Sequence, residues 1–162
     1  MKNILFFLLI CTSLYSSENL EHYRQVIDIK NPKLITTFQM ILNRNFRPEH
    51  RFSCNIHIFE GDQISTGLQN YFILSSSMEN KILEYFKHFQ INFDRKEASA
   101  SSVVAGNNRP VYQLLVIAIE SFLKERNITS LVIDDIRTDE MVKFFQENGY
   151  GIGGIRGTKK LN

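Results

Sequence analysis

His57 stands between Ile56 and Ile58, so in an extended segment its imidazole faces away from Phe52, Cys54, Ile56 and Ile58. If that opposite face lines a cleft, His57 is a general base; otherwise it is a hydrogen-bonded core or surface histidine. Arg109 precedes a long apolar helix pattern, a place where a guanidinium can meet a phosphate, or where it is simply a solvated loop residue. Tyr71 and Tyr112 are candidate proton donors only if both reach one pocket. Cys54 falls on the apolar side of its segment and reads as a small buried hydrophobe rather than a nucleophile. There is no CxxC, no HExxH and no Cys/His cluster, so no metal site is expected. Gly151-Ile152-Gly153-Gly154 lacks the strand before and helix after that a dinucleotide loop requires, and reads as a flexible strand or tail. The sequon at Asn127 matters only in a glycosylating secretory pathway.

The elements that would position these residues are clearest in the last third of the chain. From Val111, the residues Leu114, Leu115, Ala118 and Phe122 share one helical face, widened by Val116, Ile117 and Ile119. Asn127 can close this helix in the left-handed conformation, and Lys159 and Lys160 read as a solvated basic tail. Leu131-Val132-Ile133 is then a strand apolar on both faces. Thr138 caps a second helix, whose end is marked by Gly149. Earlier, the pattern predicts a strand at Tyr23–Ile29, a helix whose stripe is Leu34, Ile35, Phe38, Ile41 and Leu42, and a strand at Phe52–Glu60. A turn at Gly61-Asp62 and a strand at Tyr71–Ser75 follow. Capping-box spacing at Ser76–Glu79 predicts a further helix with Ile82, Phe86 and Phe89 on one face. Glu97–Ala105 reads as a strand, broken by Gly106–Pro110.

A chain of 162 residues with 43% hydrophobic and 22% charged residues suits one folded domain. Its net charge of +2 gives no electrostatic support for nucleic-acid binding. Met1-Lys2-Asn3 followed by the apolar run Ile4–Cys11 and then Thr12, Ser13, Ser16 and Ser17 has the layout of a secretory signal peptide. That run is too short for a stable membrane span. The expected organisation is therefore a signal over residues 1–17 and a single domain over 18–162, exported to a periplasm or the exterior, with a lipid anchor at Cys11 or a buried N-terminal strand as alternatives.

Glu120-Ser121-Phe122-Leu123-Lys124-Glu125-Arg126-Asn127-Ile128, followed by a hydrophobic strand and by Thr138–Tyr150, resembles the C-terminal half of the GNAT superfamily of N-acetyltransferases. Gly149-Tyr150 matches the Gly-Phe that ends that family's second helix motif. The resemblance implies an α/β (α+β) fold, with a mixed, mainly antiparallel central sheet flanked by helices on both faces. It implies acetyl-CoA as donor and a small-molecule or peptide amine as acceptor. Backbone amides of Ser102, Val103 and Val104 would polarise the thioester carbonyl, and Glu97 lies near the strand from which the family often takes its base.

In the family's register, Asn107 falls at the Q/R position of the phosphate loop, Pro110 at the first glycine and Tyr112 at the second; Arg109 lies within the loop. Proline has no N–H to offer a phosphate, and tyrosine carries a ring where close approach is expected. Phe145 takes the place of the tyrosine often proposed as general acid, while Thr138 and Met141 replace an asparagine and an alanine. These departures set two functions side by side. One is a divergent acyltransferase; the other is an exported, non-catalytic interaction module with an unknown protein partner.

Overall fold

The computed structural model describes residues 9–10, 33–43, 51–79, 81–104 and 109–162. Its strands are β1 (Leu9–Ile10), β2 (Lys33–Asn43), β3 (Arg51–Ser65), β4 (Leu68–Ser76), β5 (Ile82–Asn92), β6 (Glu97–Val104), β7 (Ser130–Ile133), β8 (Gly151–Gly153) and β9 (Arg156–Lys160). Two helices, α1 (Arg109–Lys124) and α2 (Asp139–Glu147), follow β6 and β7. All strands form one sheet in the order β1-β2-β3-β4-β5-β6-β7-β9-β8. Every pairing is antiparallel except β6 with β7. That exception follows from α1, which carries the chain back to the start of the sheet as a crossover.

One face of the sheet carries the main core. Cys54, Ile56, Ile58, Ile73, Phe86, Phe89, Ala98, Ala100, Leu131 and Ile133 are buried there against Val111, Leu114, Leu115, Ala118 and Phe122 of α1. Phe144 and Phe145 of α2 enter the same core. On the other face, Phe59, Phe72 and Leu74 make a smaller cluster with Leu34, Ile82 and Tyr85. Among the described residues both helices pack into the main core on the first face, and the expected strand at 23–29 lies outside the described residues. Leu9–Ile10, inside the segment read as a signal, pair with Gln39 and Phe38 of β2.

Two expected helices are strands, each for a definable reason. The segment Leu34–Leu42 pairs with β3 through β2, burying Phe38 and Met40 at the two-residue period of a strand. Its β-branched run Ile35-Thr36-Thr37 favours that outcome. Around Phe86 and Phe89 the deceptive spacing is a β-bulge. Tyr71 and Ile73, two apart on β4, oppose Phe89 and Phe86, three apart on β5, so both phenylalanines reach the helix face without a helix. Ser77, beside the predicted cap, does accept from the N–H groups of Glu79 and Lys81, but it closes a turn.

Three smaller corrections follow. The chain does not turn at Gly61-Asp62; β3 runs on to Ser65 and turns at Gly67, whose φ of 74° suits glycine. Val132 is only half-buried, because its face of the sheet is polar at that point. The glycine run and the basic tail form the β8–β9 hairpin, in which Lys159 donates to Glu120 Oε2 at 2.8 Å. Tyr150 donates to Glu120 Oε1 at 2.8 Å, so α1 and β9 are joined through one carboxylate.

Candidate functional site

Strands β6 and β7 run parallel only as far as Ala100 opposite Ile133, where the Asp134 N–H still donates to the Ala100 carbonyl at 2.8 Å. Beyond that point β7 ends while β6 continues to Val104, held on its other side by β5. The backbone groups of Ser101–Val104 that do not face β5 therefore point into a gap between the two parallel strands. The carboxyl ends of parallel strands are where an α/β sheet offers room for a ligand. An open cleft of ≈ 590 Å³ adjoins the gap, lined by Ser101, Asp134, Asp135, Gly153, Ile155 and Arg156.

Four of the six lining residues are polar or charged because of how the elements meet there. On β6 and β7 the odd-numbered Glu97, Ser99 and Ser101 lie opposite the core-facing alanines, and Ser130 and Val132 share their face. Pairing of β7 with β9 then brings Arg156 alongside Asp134, and its Nε donates to Asp134 Oδ1 at 2.5 Å. Asp135 has a positive φ of 75°, a conformation aspartate tolerates, and its carboxylate accepts from Arg137 Nε. Both carboxylates remain about a third exposed, at 29% and 32%. These four charged residues were not singled out from sequence. The doublet Asp134-Asp135 at the end of an apolar strand is the one local signal that marks the place.

The residues expected from sequence divide by position. Ser102, Val103 and Val104 lie along the gap. Arg109 is the first residue of α1, and Asn107 lies outside the described residues. Tyr112 does not obstruct the helix start: its ring is buried against Phe86, Phe144 and Phe145 at 6.1, 5.9 and 5.8 Å, so only its backbone faces the loop. Phe145 is fully enclosed by Tyr112, Phe144 and Tyr150. The Thr138 side chain accepts from the Met141 N–H and is engaged in capping α2.

His57 and Glu97 are not brought to the cleft. Glu97 begins β6 and is exposed, about 13 Å along the strand from Ser101; it does not line the cleft, although its charge is felt by Arg156. His57 lies three strands from β6, about 14 Å away, on the face opposite α1. There it is fully buried, with Thr37 Oγ1 3.0 Å from Nδ1 and Ser76 Oγ 2.9 Å from Nε2. Burial lowers its pKa from 6.5 to about 4, so it is neutral at pH 7. Tyr71 is also enclosed, edge-on to Phe122 at 5.6 Å; burial and then the Glu60 carboxylate raise its pKa, against a smaller opposing effect of Arg126. Phe122 and Tyr112 are ten residues apart on α1, about 15 Å, so the two tyrosines do not share a pocket. Among the described residues no group of three His, Cys, Asp or Glu side chains converges, and no helix is long and apolar enough to cross a membrane.

No model of a known protein family matches this sequence, and no curated protein is similar to it by sequence. Solved structures are similar. Nourseothricin acetyltransferase aligns over 97% of this chain and 99% of its own, at 7% identity and a TM-score of 0.51. The chain has the GNAT acetyltransferase fold. An acetyltransferase of the GNAT family from Staphylococcus aureus Mu50 aligns over 98% of this chain and 100% of its own, at 14% identity and a TM-score of 0.47. The PaiA N-acetyltransferase from Thermoplasma acidophilum, solved in complex with coenzyme A, aligns over 55% of this chain and 59% of its own, at 13% identity and 0.44. The parting of β6 from β7 adjoins the cleft, and the acidic doublet is part of the cleft's lining.

Proposed function

We propose that this chain transfers an acyl group from acetyl-CoA to an amine, with the donor lying in the gap between β6 and β7. The observation that carries the reading is the parting of the two parallel strands after Ala100 and Ile133, next to an open cleft lined by Ser101, Asp134, Asp135 and Arg156. The start of α1 fits an anionic donor in part. Its first turn holds no acidic side chain, and Arg109 and Val111 retain N–H groups on either side of Pro110. Backbone amides along Ser102–Val104 would polarise the thioester carbonyl. The acceptor amine would enter from the side of Asp134 and Asp135, whose carboxylates orient it.

A second reading is favoured by one observation. Phe145 is buried among rings and has no proton to give the departing thiolate, which suits a GNAT fold kept as an interaction module. Calorimetric titration of the protein with acetyl-CoA and with free CoA separates the two. Saturable binding in the micromolar range, weakened by Arg109→Glu, is expected for the transferase. Absence of heat at millimolar donor would retire it in favour of the interaction module.

A further inference from the structure

Arg156 is held from one side only. Its Nε is spent on Asp134, and among the described residues its two Nη groups make no hydrogen bond. Those groups form the planar fork that matches a carboxylate with two parallel bonds. Asp134 has a second carboxylate oxygen beside that fork, and Asp135 likewise engages Arg137 through Oδ1 alone. The cleft thus presents an unspent guanidinium edge next to two unspent carboxylate oxygens. Its two carboxylates are each already matched by an arginine, and Glu97 adds a weaker negative influence on Arg156 from outside the lining. A polycation would compete with Arg156 and Arg137 for the carboxylates, and an anion alone would use only the fork. A ligand carrying a cationic and an anionic group on one carbon can engage both without breaking either ion pair. Ile155 stands in the same lining with 57% of its surface exposed, an apolar wall beside the charged floor. At the same hairpin tip, Gly153 leaves space: a Cβ built there meets no atom within 4 Å.

We infer that the acceptor is a free α-amino acid with an apolar side chain. Its carboxylate lies on the Nη groups of Arg156, its amine between Asp134 and Asp135, and its side chain against Ile155. This rests on the transferase reading for the reaction, although the binding site itself does not require it. The ammonium first gives one proton to water at the open mouth of the cleft. The nitrogen lone pair then forms the C–N bond as the thioester C–S bond breaks. The second proton leaves nitrogen and ends on the thiolate, so nothing is oxidised or reduced.

The test uses L-leucine, L-leucinamide and isopentylamine, which share the amine and side chain but lose first the carboxylate charge and then the whole carboxyl group. Calorimetric titration without donor is expected to give saturable binding of leucine, about tenfold or more tighter than leucinamide or isopentylamine. Arg156→Gln, at an exposed position, is expected to abolish that difference. Gly153→Phe, whose new side chain starts in open space, is expected to block leucine while the thermal unfolding transition is retained. Equal affinity for leucine and leucinamide, or no saturable heat from leucine at about 10 mM, overturns the inference. Leucine binding without acetyl-CoA binding keeps the amino-acid site and sinks the transferase, whereas donor binding with turnover of isopentylamine but not leucine does the reverse.

Discussion

Lowering the pH from 7 to 5 should weaken this fold by about 2 kcal/mol through a single side chain, His57. The imidazole is fully buried between the hydroxyls of Thr37 and Ser76, and burial brings its pKa down from 6.5 to about 4. As the pH falls through 6.5 the unfolded chain binds a proton that the folded chain refuses until about 4. Over that window the unfolded state holds more protons, so stability rises with pH by about 1.4 kcal/mol per unit. The contribution is complete above 6.5 and is lost progressively down to about 4, a total of about 3 kcal/mol over the interval. Between pH 7 and 5 the change is nearer 2, because the unfolded imidazole is already partly charged at 7 and the window extends below 5. Urea unfolding at the two pH values, for the natural chain and for His57→Gln, isolates the effect. Glutamine offers an amide to the same neighbours and does not titrate. The variant will be less stable at pH 7, but it should lack the acid-dependent loss. If it loses the same 2 kcal/mol on acidification, the attribution to His57 is wrong.

Two further substitutions test the packing around the site. Glu120→Gln removes the charge that holds Lys159 and Tyr150, with the two charged side chains only 15% and 23% exposed; a loss of about 1–3 kcal/mol in urea unfolding is expected. Burial, and then the Glu120 carboxylate, push the Tyr150 phenol far above its ordinary range, so Tyr150 stays a donor to Glu120 across the accessible pH range. Gly157→Ala sets a Cβ 2.7 Å from Ile136 Cδ1 and 3.2 Å from Ile152 Cδ1; about 1–3 kcal/mol of overpacking should appear in thermal unfolding and should be partly recovered by adding Ile136→Val.

What could be read ahead of the structure follows from the range of the interactions involved. The stretch from Val111 to Gly149 was legible because its signals are local. The α1 stripe repeats at the helical period, Asn127 and Gly149 adopt positive φ, and Thr138 caps its own helix within three residues. The strand at β3 was legible from its alternation around Cys54 and Ile56. The segments at β2 and β5 were not. In β5 a bulge gives two core phenylalanines a helix-like spacing, and only pairing with β4 shows that an extra residue has been inserted.

The sequence by itself determined the order of the last elements and, through the family resemblance, the fold class; the gap between the parallel strands appears only in their register. The tertiary structure decided which side chains reach that gap. It sent His57 to the far face and Glu97 to the far end of β6, turned Tyr112 into the core, and drew Arg156 to Asp134 across 22 residues. The physical reason is one of scale. A helix period or a cap is fixed by neighbours a few residues away, whereas a site in a sheet is assembled by strand register. Register is set by burial summed over whole strands, and a one-residue bulge is enough to redirect it.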